Sequence, residues 1–401
     1  MRTLKIGLFY AVASTILLIG LQTQPIALQD ALVEKPTWNP NGAAKYLDER
    51  MDAWFASPIT KLRTGSGETT CVSCHTTVPY VLARPALRHV MNVQNETAQE
   101  FQIVEEVRRR VETYGTHEVP YALNAEKIRD SLGTEAVLNF LILANADFWQ
   151  RRQNPSASTE KALEQLWKTQ EIDGSWEWFD FGLEPFEAID ARYYGASLAA
   201  LAIGTAPGVF ERETTATRIG IDRLGSYLQE TYGQQNLFNR VHALLASTRF
   251  KDLLKPSNRE LLIEDLRRKQ RHDGGWSLDT LGPWRWNETA PPFKAPGTLN
   301  KSLLNESDGY ATGLIVYALL EADISVHDPL MKNGLAWLRV NQGSVQIDQH
   351  TWTAWRAYSV NFDREHGGER GETLRRMFMS DSATAFATLA LIGEREQFLG
   401  R

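Results

Sequence analysis

Two stretches one hundred residues apart decide the fold: Gln170-Glu-Ile-Asp173-Gly174-Ser-Trp176 and Gln270-Arg-His-Asp273-Gly274-Gly-Trp276. Each is preceded by a leucine four residues before its glutamine (Leu166, Leu266) and an apolar residue seven before (Leu163, Ile263), the spacing of one helix face. The pattern reads as a helix, a stop and a re-entry. A glutamine at a helix end can satisfy open carbonyls, and glycine supplies the positive φ of the stop. Tryptophan brings a large apolar ring, with one N–H to place, beneath the next hairpin. A degenerate third copy has Leu335, Leu338 and Gln342, then a stretched loop to Trp352.

After each copy comes an aspartate suited to N-capping and a run of small residues: Asp190-Ala-Arg-Tyr-Tyr-Gly-Ala-Ser, Asp308-Gly-Tyr-Ala-Thr-Gly and Asp381-Ser-Ala-Thr-Ala-Phe-Ala-Thr. Small side chains permit the close approach that inner helices need. Helical spacing predicts elements near 42–56, 76–91, 97–113, 134–151, 159–171, 190–204, 216–232, 236–249, 257–271, 308–322, 327–341 and 380–393. Twelve helices in alternation make six antiparallel hairpins, and a fixed repeat is the mark of a stacked or closed array. The expectation is an all-α (α/α)6 toroid with inner and outer helices; an open solenoid is the alternative. Residues 28–155 form an N-terminal helical part and 156–401 the repeat region, sharing one ring.

These repeats resemble the QW motifs of the terpenoid-cyclase and prenyltransferase superfamily, the squalene–hopene cyclase group especially, over roughly residues 159–393. The resemblance implies the toroid. It does not carry the chemistry, because the Asp-x-Asp-Asp motif that protonates polyenes in class II cyclases is missing and no Asp-x-Asp occurs in the chain. Protein prenyltransferases bind zinc with an Asp, a Cys and a His on inner helices, yet neither cysteine here lies in the repeat region.

Both cysteines of the chain fall in Cys71-Val-Ser-Cys74-His75. This C-x-x-C-H resembles the haem-attachment segment of cytochromes c. Two thiols three positions apart can join the two vinyl groups of one porphyrin, with the adjacent imidazole as proximal iron ligand. That reading implies one covalent haem c on Cys71, Cys74 and His75. Arg84 and Tyr80, with Arg88, are candidates for the propionates. Met91, His89, His117, Met377 and Met379 are candidates for the sixth ligand, Met91 first among them. A redox-active C-x-x-C, a zinc site, a structural disulfide and unmodified thiols are the competing readings. If the second helix is an inner one, Cys71–His75 shares a rim with Asp190, Asp308 and Asp381. The motif then sits at the mouth of the ring, roofed by Trp176, Trp178, Tyr193, Tyr194, Trp276 and Trp284. The Pro-rich residues 282–301 could form a lid.

Arg2 and Lys5 precede an apolar run, Ile6–Leu21, which reads as a signal peptide over 1–27 or as an uncleaved membrane anchor. Either places the remainder outside the cytoplasm, periplasmic if bacterial. Loss of 1–27 removes two positive charges and moves the net charge from −6 to −8. An acidic chain has no phosphate-neutralising excess, so nucleic acid is not an expected partner. No G-x-S-x-G elbow, phosphate loop or dinucleotide fingerprint is present. The sequence therefore predicts an exported c-type haem protein in electron transfer or haem-dependent redox chemistry, with a redox partner and a small or apolar ligand unidentified. It leaves open whether the chain is an enzyme. A non-haem isoprenoid- or lipid-binding protein and a protein-binding repeat scaffold are the alternatives.

Overall fold

A computed structural model describes residues 38–65, 67–116, 118–211, 214–284, 305–347, 350–361 and 377–398. The N-terminal run, most of the Pro-rich stretch and His117 lie outside them. Among the described residues twelve helices follow one another: α1 Pro40–Ala56, α2 Thr77–Val90, α3 Ala98–Glu112, α4 Ala125–Trp149, α5 Ala157–Thr169 and α6 Ala191–Thr205. The second half continues with α7 Thr215–Thr231, α8 Leu237–Ser247, α9 Pro256–Lys269, α10 Gly309–Glu321, α11 Pro329–Val340 and α12 Phe378–Phe398. Two antiparallel hairpins interrupt them, β1 Lys61–Thr64 with β2 Gly67–Thr70 and β3 Gly343–Ile347 with β4 His350–Ala354. No described helix is long and apolar enough to cross a membrane.

The even-numbered helices pack in order, α2 on α4, α4 on α6, α6 on α8, α8 on α10, α10 on α12, and α12 back on α2. That closes an inner ring of six, and the odd-numbered helices stand outside it. The fold is the all-α toroid, not an open solenoid. Composition explains who goes where. Inner α6 buries twelve of its fifteen residues, whereas outer α9 buries only Leu262 and Leu266. A helix apolar on every face must be surrounded, and one with a narrow stripe lies at the surface. Asparagine, serine or threonine side chains cap six of the helices, and α3 carries a full Thr97–Glu100 capping box. Of the three expected aspartate caps only Asp308 caps its helix, for Asp190 makes no cap hydrogen bond and Asp381 lies within the first turn of α12.

The repeat works as glue between neighbouring outer helices. The Gln170 amide donates to Gly174 O and to Gly220 O of α7, at 3.1 and 3.0 Å. Gln270 does the same to Gly274 O and to Leu330 O of α11, both at 2.9 Å. Gly174 and Gly274 take φ of +94° and +92°, and a Cβ at Gly174 would stand 2.2 Å from Arg223 O. Trp176 and Trp276, fully buried, donate their indole N–H to Leu166 O and Leu266 O. The third copy is corrected in one respect: its tryptophan is Trp355, which donates to Leu338 O at 2.7 Å, while Trp352 donates to Glu49. The β3–β4 hairpin inserted between Gln342 and Trp355 displaces the register. Gln342 in turn donates to Asn39 O, the cap of α1, so the same device closes the outer ring.

Candidate functional site

The Cys–His segment enters the inner ring along a fixed path. Cys71 N donates to Thr60 O at 2.7 Å and Trp54 Nε1 to Cys71 O at 2.8 Å, which pins the segment after the first hairpin. Ser73 then acts as a cap: its hydroxyl accepts from the backbone N–H of Thr76 and Thr77, and its carbonyl from Val78 N. A short turn of this kind leads directly into α2, so His75 emerges at the N-terminal end of an inner helix. The segment does lie at the mouth of the ring, beside the start of α12.

Asp381, in the first turn of α12, organises that mouth. It takes Arg50 Nε at 2.7 Å and Arg50 Nη2 at 3.1 Å in a fork, both side chains being almost wholly buried. Tyr46 Oη donates to the same carboxylate at 2.7 Å, and Thr76 Oγ1 donates to Oδ2 at 2.6 Å. His75 Nδ1 lies 3.0 Å from that Thr76 oxygen. Ser382 Oγ donates to His75 O at 2.9 Å. Phe378 stacks on the imidazole with ring centres 3.6 Å apart and planes within 19°, and Trp54 meets it edge-on. Burial and the Asp381 charge push the Tyr46 hydroxyl well above its ordinary range, against the pull of Arg50, so it remains a donor.

Two cavities open beside His75. The larger, about 360 Å³, is lined by the aromatic residues Trp54, Tyr121, Phe181, Phe186 and Phe378 and by Glu118, Glu184 and Glu187. The smaller, about 70 Å³, lies behind Cys71 among Cys74, Arg110, Ser131, Thr134, Glu135 and Glu187. Glu187 lines both. Its backbone is held by a reciprocal pair with Leu183 (2.8 and 2.9 Å) and a bond from Phe181 N, inside the loop that precedes α6. Arg110 Nη2 pairs with Glu135 at 2.9 Å, both buried. Arg110 Nε and Nη1 and Ser131 Oγ are buried with no hydrogen-bond partner among the described residues. Burial pushes the Cys71 thiol up to about 11 and Cys74 well above its ordinary value, with Glu187 adding to both shifts, so neither is a ready nucleophile.

Several predicted site residues sit elsewhere. Arg84 binds Asp48 at 2.9 and 3.1 Å, and Tyr80 donates to the same carboxylate at 3.0 Å, joining α2 to α1. Neither lines the cavities beside His75. Arg88 pairs with Glu100. Met91 is the C-cap of α2, fourteen residues along the helix and so about 20 Å from His75 at 1.5 Å per residue. His89 tilts against Trp149 on that far side. Met379 does line the larger cavity. Trp176, Trp276 and Tyr193 face outer-helix carbonyls instead of the mouth. Tyr194 fills the ring's centre with Phe186, Phe238 and Tyr310. Phe378, Glu187, Arg110 and Glu135 were not legible as site residues; an Asp at 381 already read as a helix start was the nearest signal.

No protein family and no curated protein matches the chain. Among solved structures it is similar to a complex of UGL, an unsaturated glucuronyl hydrolase, carrying an aspartate-to-asparagine change, with dGlcA-Glc-Rha-Glc. The TM-score is 0.50 at 11% identity, over 88% of this chain and 95% of that one. A glycosyl hydrolase family 88 protein from Bacteroides vulgatus aligns at 11% identity over 91% of this chain and 94% of its own, with TM-score 0.35. The haem electron-transfer reading is corrected by this likeness. The isoprenoid- or lipid-binding alternative finds no support either. Nor do three His, Cys, Asp or Glu side chains converge to hold a metal ion among the described residues.

Proposed function

We propose that the chain is a glycoside hydrolase working at the mouth of the ring. The observation that carries the reading is Glu187, shared by a ring-walled cavity and a small chamber that Arg110, Ser131 and Glu135 also line. Sugars present apolar C–H faces that pack on aromatic rings and hydroxyls that seek fixed polar groups, and the larger cavity offers both. Glycoside cleavage needs a carboxylic acid to protonate the leaving oxygen and a second group to activate water. Glu187 is assigned the acid. The 70 Å³ chamber has room for a few water molecules, and Arg110 and Ser131 offer them buried donors that have no partner among the described residues. The use of the same fold in a saccharide complex supports the reading. The apolar Ile6–Leu21 run behind Arg2 and Lys5 supports a location outside the cytoplasm as part of the same reading.

The test is reducing-end release from a panel of neutral and acidic oligosaccharides by the purified chain, wild type against Glu187→Gln. The expected result is a hundredfold or greater loss with unchanged circular dichroism, on the order of a general acid's usual contribution of about 10²–10⁴. Equal rates for the two proteins, or no release and no saccharide binding by the wild type, would overturn the reading.

A further inference from the structure

We infer that Thr76 is a positioning residue through which Asp381 fixes His75 in the Nδ1-protonated tautomer, leaving Nε2 as the proton-accepting atom of the imidazole at the ring mouth. The argument is a count of protons. Among the described residues every partner that Asp381 meets at its carboxylate is a donor: the Arg50 fork, the Tyr46 hydroxyl and the Thr76 hydroxyl. The carboxylate therefore accepts throughout. A threonine hydroxyl carries one proton, and the 2.6 Å contact commits it to Asp381 Oδ2. The same oxygen, 3.0 Å from His75 Nδ1, is left with lone pairs only, so the hydrogen of that contact belongs to Nδ1. In a neutral ring, Nε2 then has the lone pair.

The imidazole cannot turn to exchange its two nitrogens at low cost. Phe378 covers one face at 3.6 Å, Trp54 stands edge-on, and Ser382 holds the backbone carbonyl of His75. His75 lines both cavities. The chemistry this arrangement suits is acceptance of a proton from a hydroxyl or a water, with Thr76 and Asp381 holding the opposite nitrogen's proton and stabilising the imidazolium that results. Its use in hydrolysis rests on the reading of the ring mouth as the saccharide site; the tautomer itself does not.

The experiment is nitrogen-15 spectroscopy of the full chain labelled at histidine, at a pH high enough to keep imidazole neutral. His75→Gln identifies the His75 signals among those of the eight histidines. Wild type and Thr76→Ser are expected to show the proton on Nδ1. Thr76→Val, which keeps the shape and removes the hydroxyl, is expected to lose that preference and move toward the Nε2-protonated form. An Nε2-protonated ring in the wild type, or an unchanged tautomer in Thr76→Val, would overturn the inference. Oligosaccharide hydrolysis is measured on the same samples. A confirmed tautomer without hydrolysis refutes the enzymatic reading alone, whereas hydrolysis with the opposite tautomer refutes this inference alone.

Discussion

Arg50 and Asp381, separated by 331 positions, form a buried forked ion pair in which Arg50 Nε lies 2.7 Å from Asp381 Oδ1. The pair ties the first helix of the ring to the last. Removing one partner strands the other charge in the interior, which typically costs about 3–5 kcal/mol. Arg50→Met is therefore expected to lower the urea midpoint sharply. Arg50→Met/Asp381→Asn should recover a large part of the loss, because no bare charge remains. A double variant less stable than Arg50→Met would contradict the account.

Gly174 is the tightest point of the first repeat. Its φ of +94° disfavours any side chain, and the 2.2 Å approach of Arg223 O leaves no room for one. Gly174→Ala should destabilise by about 3 kcal/mol, combining backbone strain and overpacking. Gly65, whose Cβ would meet nothing, is the control and should tolerate alanine with little change in melting temperature.

Two buried groups give stability opposite slopes with pH. Burial raises Asp308 to about 6, although the N–H groups of Leu278, Tyr310 and Ala311 pull the other way. Its contribution is present below the unfolded value near 3.8 and is lost as pH rises through 6. Burial lowers His242 to about 4, so its contribution is present above about 6.5 and lost as pH falls through 4. Between pH 4 and 6 the two oppose each other. His242→Gln should leave a protein that gains stability on acidification relative to wild type, and Asp308→Asn one that loses it. Each divergence should reach about 2–3 kcal/mol at roughly 1.4 kcal/mol per unit. Denaturant titrations at several pH values check it; parallel curves for all three proteins would refute the assignment.

Cys74 is buried and Cys71 half-buried at the cavity wall, and burial pushes both thiols upward. A chromogenic disulfide reagent at neutral pH should react with the native chain far more slowly than with an unstructured thiol, and should titrate two thiols in guanidinium. Rapid native labelling would show that the segment opens. Fewer than two thiols after unfolding would show that a cysteine is covalently engaged.

The ring was legible because its code is local. A helix stop, a glycine φ and a tryptophan reaching back ten residues act within one repeat, so Gln170–Trp176 and Gln270–Trp276 announce it without knowledge of the rest. Alternation then assigns inner and outer helices, which puts Cys71–His75, Asp190, Asp308 and Asp381 on one rim. The third tryptophan was misassigned because the β3–β4 insertion breaks the spacing on which a pattern depends.

What the sequence determined by itself is the toroid and the rim on which its unusual Cys–His segment lies, since helix periodicity and turn chemistry are properties of neighbouring residues. Which side chains meet there was decided only by ring closure. Arg84 and Tyr80 looked available for a cofactor and are committed to Asp48; Asp381 looked like a cap and holds Arg50, Tyr46 and Thr76. A charged side chain's partner depends on which helix packs opposite it. That geometry spans more than three hundred residues and leaves no periodic trace in the chain.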